Sequence, residues 1–313
     1  MSLSADDIQH VVALADVMAV DHPVLRVEDF FARGLSLTLM EIEAVFSDSA
    51  ISPIGVQAIA SLTKRREEIL RDACEVPPFV IYTVAGKYFI CGVVTYFQQQ
   101  PQLSGWPAGF AQRVGMHAEI RNALIRLDKG HNLEALAAAL LECACEYGEA
   151  TRGSGDQGVD AVAWNHLIRI EHVFLGGAIE LDRIWPGQRV MVVASSKATV
   201  KRSKIPAVIN PAHIRELIGG WLIQRSENGR WKSMGIQMLT PLQLILVTTY
   251  RLSAESQSQC NTLGVQVWSL PELIFLICRY APDSIFRAGG GCGFSATDFD
   301  QWWAAKDGTR LRA

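Results

Sequence analysis

Two stretches decide the architecture: Gly158-Val159-Asp160-Ala161-Val162-Ala163-Trp164, and later Arg189-Val190-Met191-Val192-Val193-Ala194-Ser195-Ser196-Lys197. The first reads as a strand with a carboxylate near its start. The second is a nearly unbroken apolar run of strand length, as expected for a strand buried on both faces. Leu242–Thr249 is a further buried strand and Val265–Trp268 a shorter one. Asn132–Tyr147, Ser253–Leu263 and Leu270–Tyr280 have helical periodicity, the last ending before Pro282. Asn210-Pro211 is an N-cap followed by an N1 proline and opens a helix through about Gln224. Leu167–Phe174 and Ala178–Trp185 flank Gly176-Gly177 and read as a hairpin. Strands and helices in this order make an α/β fold with a mixed central sheet flanked by helices.

The N-terminal part has a different character. Ile8, Val11, Val12, Leu14 and Ala15 form one helical stripe, Thr38–Phe46 a second and Ile54–Cys74 a third, so the region is α-rich. Pro77-Pro78 then precedes Phe79–Val84, Ala85-Gly86 and Lys87–Phe97, whose β-branched and aromatic residues read as a hairpin. Gln98–Gly109 reads as a loop. These features divide the chain into residues 1–125, residues 126–285 and a tail, residues 286–313. In the tail, Phe299, Trp302 and Trp303 have helical spacing and are expected to pack on the main domain.

Composition bounds the function. The 313 residues are 49% hydrophobic and 19% charged, which excludes a disordered protein. The net charge of −3 excludes nucleic-acid binding by bulk positive charge, but not by one basic cleft. The apolar stretches Phe79–Phe97 and Leu239–Thr249 are too short or too interrupted to span a membrane. No cationic-then-apolar segment opens the chain, and none of the seven cysteines forms a CxxC pair. Buried thiols in a reducing cytoplasm are the expectation.

Three motifs fail on context. Gly153-Ser154-Gly155-Asp156-Gln157-Gly158 matches GxGxxG but follows a helix and precedes a strand, the reverse of what a dinucleotide phosphate requires. No Gly-Lys-Ser/Thr follows the Gly289–Gly293 run, so it is no P-loop. The seven histidines show no metal-ligand spacing.

A fourth signal is chemical. Asp160 begins one strand and Lys197 ends another, so the two can meet over one sheet edge. Phosphodiester hydrolysis needs such a set: a carboxylate to hold Mg²⁺ and a lysine to stabilise charge on the nucleophile. Beyond Lys197 the stretch to Lys204 holds Lys201, Arg202 and Lys204 and no acid, the composition of a solvated loop or of a phosphate-contacting segment.

Glu134 in Asn132-Leu133-Glu134-Ala135-Leu136, the run Ser154-Gly155-Asp156-Gln157-Gly158-Val159-Asp160, and Val193-Ala194-Ser195-Ser196-Lys197 together resemble the catalytic domain of Mrr-type restriction endonucleases, within the PD-(D/E)XK nuclease superfamily. Ile214–Gly219 resembles the helix that follows the lysine. Leu246–Thr249, Gly264–Trp268 and Glu272-Leu273 resemble the closing strand–helix–strand–helix. The resemblance covers roughly residues 131–282. It implies a restriction-endonuclease-like fold, a Mg²⁺-dependent endonuclease acting on double-stranded DNA in restriction or defence (type II-like or Mrr-like), a homodimer or larger assembly, and a DNA-recognition or dimerisation role for residues 1–125, which carry no motif of their own. It gives Asp160 the metal-binding role, Lys197 the catalytic role and Glu134 an assisting role. The Ser196 backbone carbonyl would join the metal site, and Lys201, Arg202 and Lys204 would contact DNA. Glu142 and Glu146 are expected to face solvent.

Two departures stand out. Ser195 occupies the position where the family has Glu or Gln, and a serine does not replace a charged ligand. Some restriction enzymes with SxK supply the carboxylate from the next helix, which here offers Glu216. The buried stripe of that helix, Ile214, Leu217, Ile218, Trp221 and Leu222, places Glu216 almost opposite, as in an ordinary surface residue. The Asn165–Gln188 insert is also longer than the usual hairpin. A catalytically inactive nuclease-fold protein that binds DNA or a partner is the competing expectation.

Overall fold

The structure, a computed structural model, describes residues 3–46, 53–99, 109–127, 130–145, 147–150, 160–164, 191–197, 208–224, 241–287 and 293–307. They fall into two units, one ending at Gly115 and the other beginning at Met116.

In the first unit the helices are α1 (Ala5–Asp16), α2 (Val27–Gly34), α3 (Leu39–Phe46), α4 (Pro53–Arg71), α5 (Val93–Gln98) and α6 (Phe110–Gly115). Strands β1 (Leu25–Arg26), β2 (Phe79–Val84) and β3 (Lys87–Gly92) form an antiparallel sheet in the order β1-β3-β2. Ser4 and Asp7 close a reciprocal capping box at the start of α1. Val11, Val12 and Ala15 of α1, Phe31 of α2, Leu62 of α4 and Phe79 and Ile90 of the hairpin share one core. Arg65 of α4 grips Asp16 at the end of α1 through Nε (3.0 and 2.9 Å) and Nη2 (2.9 Å).

The hairpin departs from expectation in its second arm. Strand β3 stops at Gly92, and Val93–Gln98 is helical despite its β-branched residues. The cause is tertiary. Gly92 N–H donates to the His22 carbonyl (3.0 Å) and Val94 N–H to the Val20 carbonyl (2.7 Å), so the chain turns against residues 20–22. A Cβ at Gly92 would overlap the Val20 carbonyl oxygen and the His22 nitrogen.

The second unit contains α7 (His117–Ile125), α8 (Gly130–Ala144), α9 (Pro211–Gln224), α10 (Ala254–Leu263), α11 (Leu270–Tyr280) and α12 (Ala296–Asp307). Its strands are β4 (Tyr147–Ala150), β5 (Ala161–Trp164), β6 (Met191–Lys197), β7 (Val208–Ile209), β8 (Leu242–Thr248), β9 (Arg251–Leu252) and β10 (Gln266–Trp268). A five-stranded mixed sheet runs in the order β10-β8-β6-β5-β4, and β7 pairs with β9. The α/β fold with a mixed central sheet and flanking helices is therefore observed. Expected as helical to Tyr147, α8 ends at Ala144, and Tyr147 begins an edge strand. The hairpin expected at Leu167–Trp185 lies outside the described residues.

Helix α8 is buried nearly all round: Leu133 and every residue from Ala135 to Leu141 are inaccessible, with Glu134 half-buried among them. It packs on β4, β5 and β6 and is also covered by α11 and α12. The tail helix is thus packing material, as expected: Phe299 is buried, its ring lies 5.6 Å from that of Phe294 and 6.1 Å from that of Trp302, and Lys306 pairs with Glu142 of α8. Glu142, expected as a plain solvent residue, is an exposed ion-pair partner.

Of the described cysteines, Cys74, Cys91, Cys260 and Cys278 are buried, whereas Cys143 is exposed and Cys145 half-buried, against the expectation that all are buried. Among the described residues no helix is long and apolar enough to cross a membrane.

Two stability measurements follow. Ala85 and Gly86 both have positive φ (49° and 77°), the conformation of a primed two-residue hairpin turn. Since that region is unfavourable for alanine, Ala85→Asn is expected to raise the unfolding free energy by up to about 1 kcal/mol in urea titrations. Gly92→Ala is expected to lower it by about 1–3 kcal/mol, because backbone atoms must move to admit the methyl group.

Candidate active site

The site is built by register. β6 is the central strand: β5 lies antiparallel on one side and β8 parallel on the other. Ala161 pairs with Ala194 and Val162 with Val193. Asp160 immediately precedes β5, so one further step sets it level with Ser195. Side chains alternate with period two along a strand, and paired positions share a face. Positions 160, 195 and 197 therefore share one face, with Lys197 diagonal to Asp160. Diagonal neighbours of this kind are about 7–8 Å apart, within reach of long side chains.

Other residues identify that face. In register with Val193, Ser195 and Lys197 are Leu244, Leu246 and Thr248 of β8. Val162, Leu244 and Leu246 share a core with Ile209, Ile214 and Leu217 at the α9 end and with Cys260 and Val265 at the α10 end. Helices α9 and α10 thus cover the face that carries Asp160. Among the described residues, none of α8 belongs to this core.

Asp160 is 8% exposed, an unusual position for a carboxylate. Beside Lys197 in register stands Thr248, fully buried, whose hydroxyl accepts the Tyr250 N–H at 3.0 Å. Position 149 on β4 pairs with Val162 and so also falls on this face. Glu149 is not legible in the sequence because the helical pattern runs to Tyr147 and Gly148-Glu149-Ala150 carries no strand signal, and Thr248 because it stands only near the end of an apolar strand.

The start of α9 is fixed by polar contacts. Asn210 Oδ1 accepts the Ala212 N–H at 2.9 Å, as its N-cap role requires. Ser256 of α10 is buried and donates from Oγ to the Ile209 carbonyl at 2.8 Å, tying β7 to α10. Cys260 in the same core has its thiol pushed up to about 11 by burial, so it is protonated and inert at neutral pH.

The remaining candidates separate. Glu216 is on α9 but exposed. Glu134 is half-buried on α8, which packs on the sheet without joining the α9–α10 core. Among the described residues no group of three or more His, Cys, Asp or Glu side chains is placed to hold a metal ion. Lys201, Arg202 and Lys204 lie outside the described residues, as do the glycine motif before Asp160 and the insert after Trp164.

No family model and no curated protein matches the chain. Among solved structures it is similar to MspJI restriction endonuclease in complex with a 27-mer oligonucleotide, with a TM-score of 0.37 and 16% identity, over 68% of this chain and 40% of that one. It is also similar to restriction endonuclease FokI bound to DNA, with a TM-score of 0.32 and 11% identity, over 96% of this chain and 48% of that one. The chain therefore spans less than half the length of either protein.

The placement of α9 has a measurable consequence. Leu246→Ala empties part of its core and is expected to cost about 2–5 kcal/mol of stability. Glu216→Gln on the exposed side of the same helix should change stability by less than about 0.5 kcal/mol. Urea unfolding of both variants measures the contrast, and equal losses would mean that α9 presents another face.

Proposed function

We propose that the chain is a Mg²⁺-dependent endonuclease that hydrolyses phosphodiester bonds of double-stranded DNA, a restriction or defence enzyme of Mrr-like or type II-like character. The observation that carries this reading is the shared face of Asp160 and Lys197 at adjoining ends of paired strands. Acid and amine so placed suit a phosphodiester, whose attack by water builds negative charge beside a group that must be held by cations.

The donor chemistry fits a hard cation in part. Asp160 would hold the Mg²⁺ with the Ser196 backbone carbonyl, and a second carboxylate from Glu134 or Glu216 would complete the set, since Ser195 brings no charge. When bound, the ion would lower the pKa of a water and polarise the phosphate. Lys197 would hold the attacking hydroxide by charge and hydrogen bonding, Lys201, Arg202 and Lys204 would position the phosphate backbone without reading sequence, and two copies of the chain would cut both strands.

Plasmid incubated with the protein and Mg²⁺ is expected to be cut, and Lys197→Ala or Asp160→Asn to slow cutting at least about 10²-fold. Glu134→Gln and Glu216→Gln separate the candidates for the second carboxylate: the true ligand loses activity that higher Mg²⁺ partly restores. Equal products from the parent protein and Lys197→Ala would remove the catalytic assignment. That result would favour the second reading, an inactive nuclease-fold DNA-binding or interaction protein. Ser195 in place of a carboxylate is the specific observation on its side.

A further inference from the structure

The face that carries Asp160 also carries Glu149, and strand register alone puts it there. Residues 147–150 of β4 pair antiparallel with residues 164–161 of β5, so Glu149 stands opposite Val162. Strand parity then sorts the two faces. Ala150 is 1% exposed and pairs with Ala161, on the side that α8 covers. Glu149 falls on the other side, with Val162 and Asp160.

Asp160 is one step beyond the pair Ala161–Ala150, which makes Glu149 its diagonal neighbour on β4. It is also one step beyond the pair Ala161–Ala194, which sets Ser195 of β6 directly opposite. A hydroxyl residue on one strand and a carboxylate residue on the other therefore flank Asp160. Diagonal positions are about 7–8 Å apart, within reach of long side chains. β4 is the edge strand, and the core beneath α9 and α10 includes Val162 of β5 but no described residue of β4. Glu149 thus stands at the rim of that core.

Asp160 is nearly buried. A second acid on its diagonal adds repulsion where little water screens it, and a divalent cation between the two reverses the sign. Neither helix acid is placed in this way. Glu216 is exposed on α9, and Glu134 is on α8, whose described residues stay out of the core on the Asp160 face.

We propose that Glu149 is the second carboxylate of the metal site and supplies from β4 the charge that Ser195 does not bring from β6. This rests on the nuclease reading of the face and narrows it. Both acidic donors come from the sheet itself, and positions 149, 160 and 197 form one oblique row across β4, β5 and β6.

The test joins metal binding to stability in the full chain. Free Mn²⁺ is followed by electron paramagnetic resonance during titration, and thermal midpoints are read in EDTA and in excess Mn²⁺. Glu149→Gln and Asp160→Asn are each expected to weaken Mn²⁺ binding at least about tenfold, and Glu134→Gln and Glu216→Gln to bind it as the parent does. In EDTA, Glu149→Gln should melt at or above the parent, because repulsion is relieved. In Mn²⁺ it should melt below, because the parent gains more from the ion. Parental Mn²⁺ binding by Glu149→Gln would overturn the assignment, and plasmid cutting that Lys197→Ala abolishes would still uphold the nuclease reading. A Glu149→Gln protein that fails to fold, or melts lower than the parent in EDTA, would mark a structural residue and overturn it equally. A parent without saturable Mn²⁺ binding would remove the ligand whether or not it cuts; without cutting, the nuclease reading goes as well.

Discussion

Antiparallel pairing of β5 on β6 is the constraint on which the second unit depends. The match of Ala161 with Ala194 sets which residues of both strands share a face. A slip of one residue would exchange every inward and outward side chain. Slippage is opposed from both sides. β6 is also locked in parallel register to β8, and Val162 and Leu246 are committed to the core beneath α9 and α10 while Ala161 and Ala163 are buried opposite them. Hydrophobic burial therefore fixes the register, and the register puts an acidic and a basic position at one end of the sheet. Packing chooses the place and chemistry inherits it.

The central strands were readable because they are short, apolar and rich in β-branched residues, which few other elements are. Edges were not. Tyr147–Ala150 has no run of such residues; it is a strand because β5 offers an open ladder beside it. Val93–Gln98 errs the other way. Its local preference is for a strand, but a close approach of backbone at Gly92 decides for a helix. Neither outcome is written in a local window.

The site divides along the same line. Asp160 and Lys197 could be nominated because each terminates a recognisable strand. The helix carboxylates could not be ranked, since what matters is which face of the sheet each helix covers. That is decided by how each helix packs on the sheet rather than by the stripe of either helix. Glu134 and Glu216 are on helices of equally ordinary periodicity, yet among the described residues those of α9 join the core beneath the Asp160 face and those of α8 do not. Glu149 and Thr248 share that face for a reason sequence alone did not give, namely their register with β5 and β6.

The near-total enclosure of α8 bears on how the second unit is made. The middle of α8, leucine and alanine on nearly all sides, offers little surface suited to water, and one of its covers, α12, is encoded far downstream. During synthesis on the ribosome α8 emerges long before that cover exists. A nascent chain must keep this sticky rod out of contact with its neighbours until α12 docks. Completion of the unit thus waits until α12 has been made, and chains arrested before it or clipped ahead of it would be natural clients for chaperones.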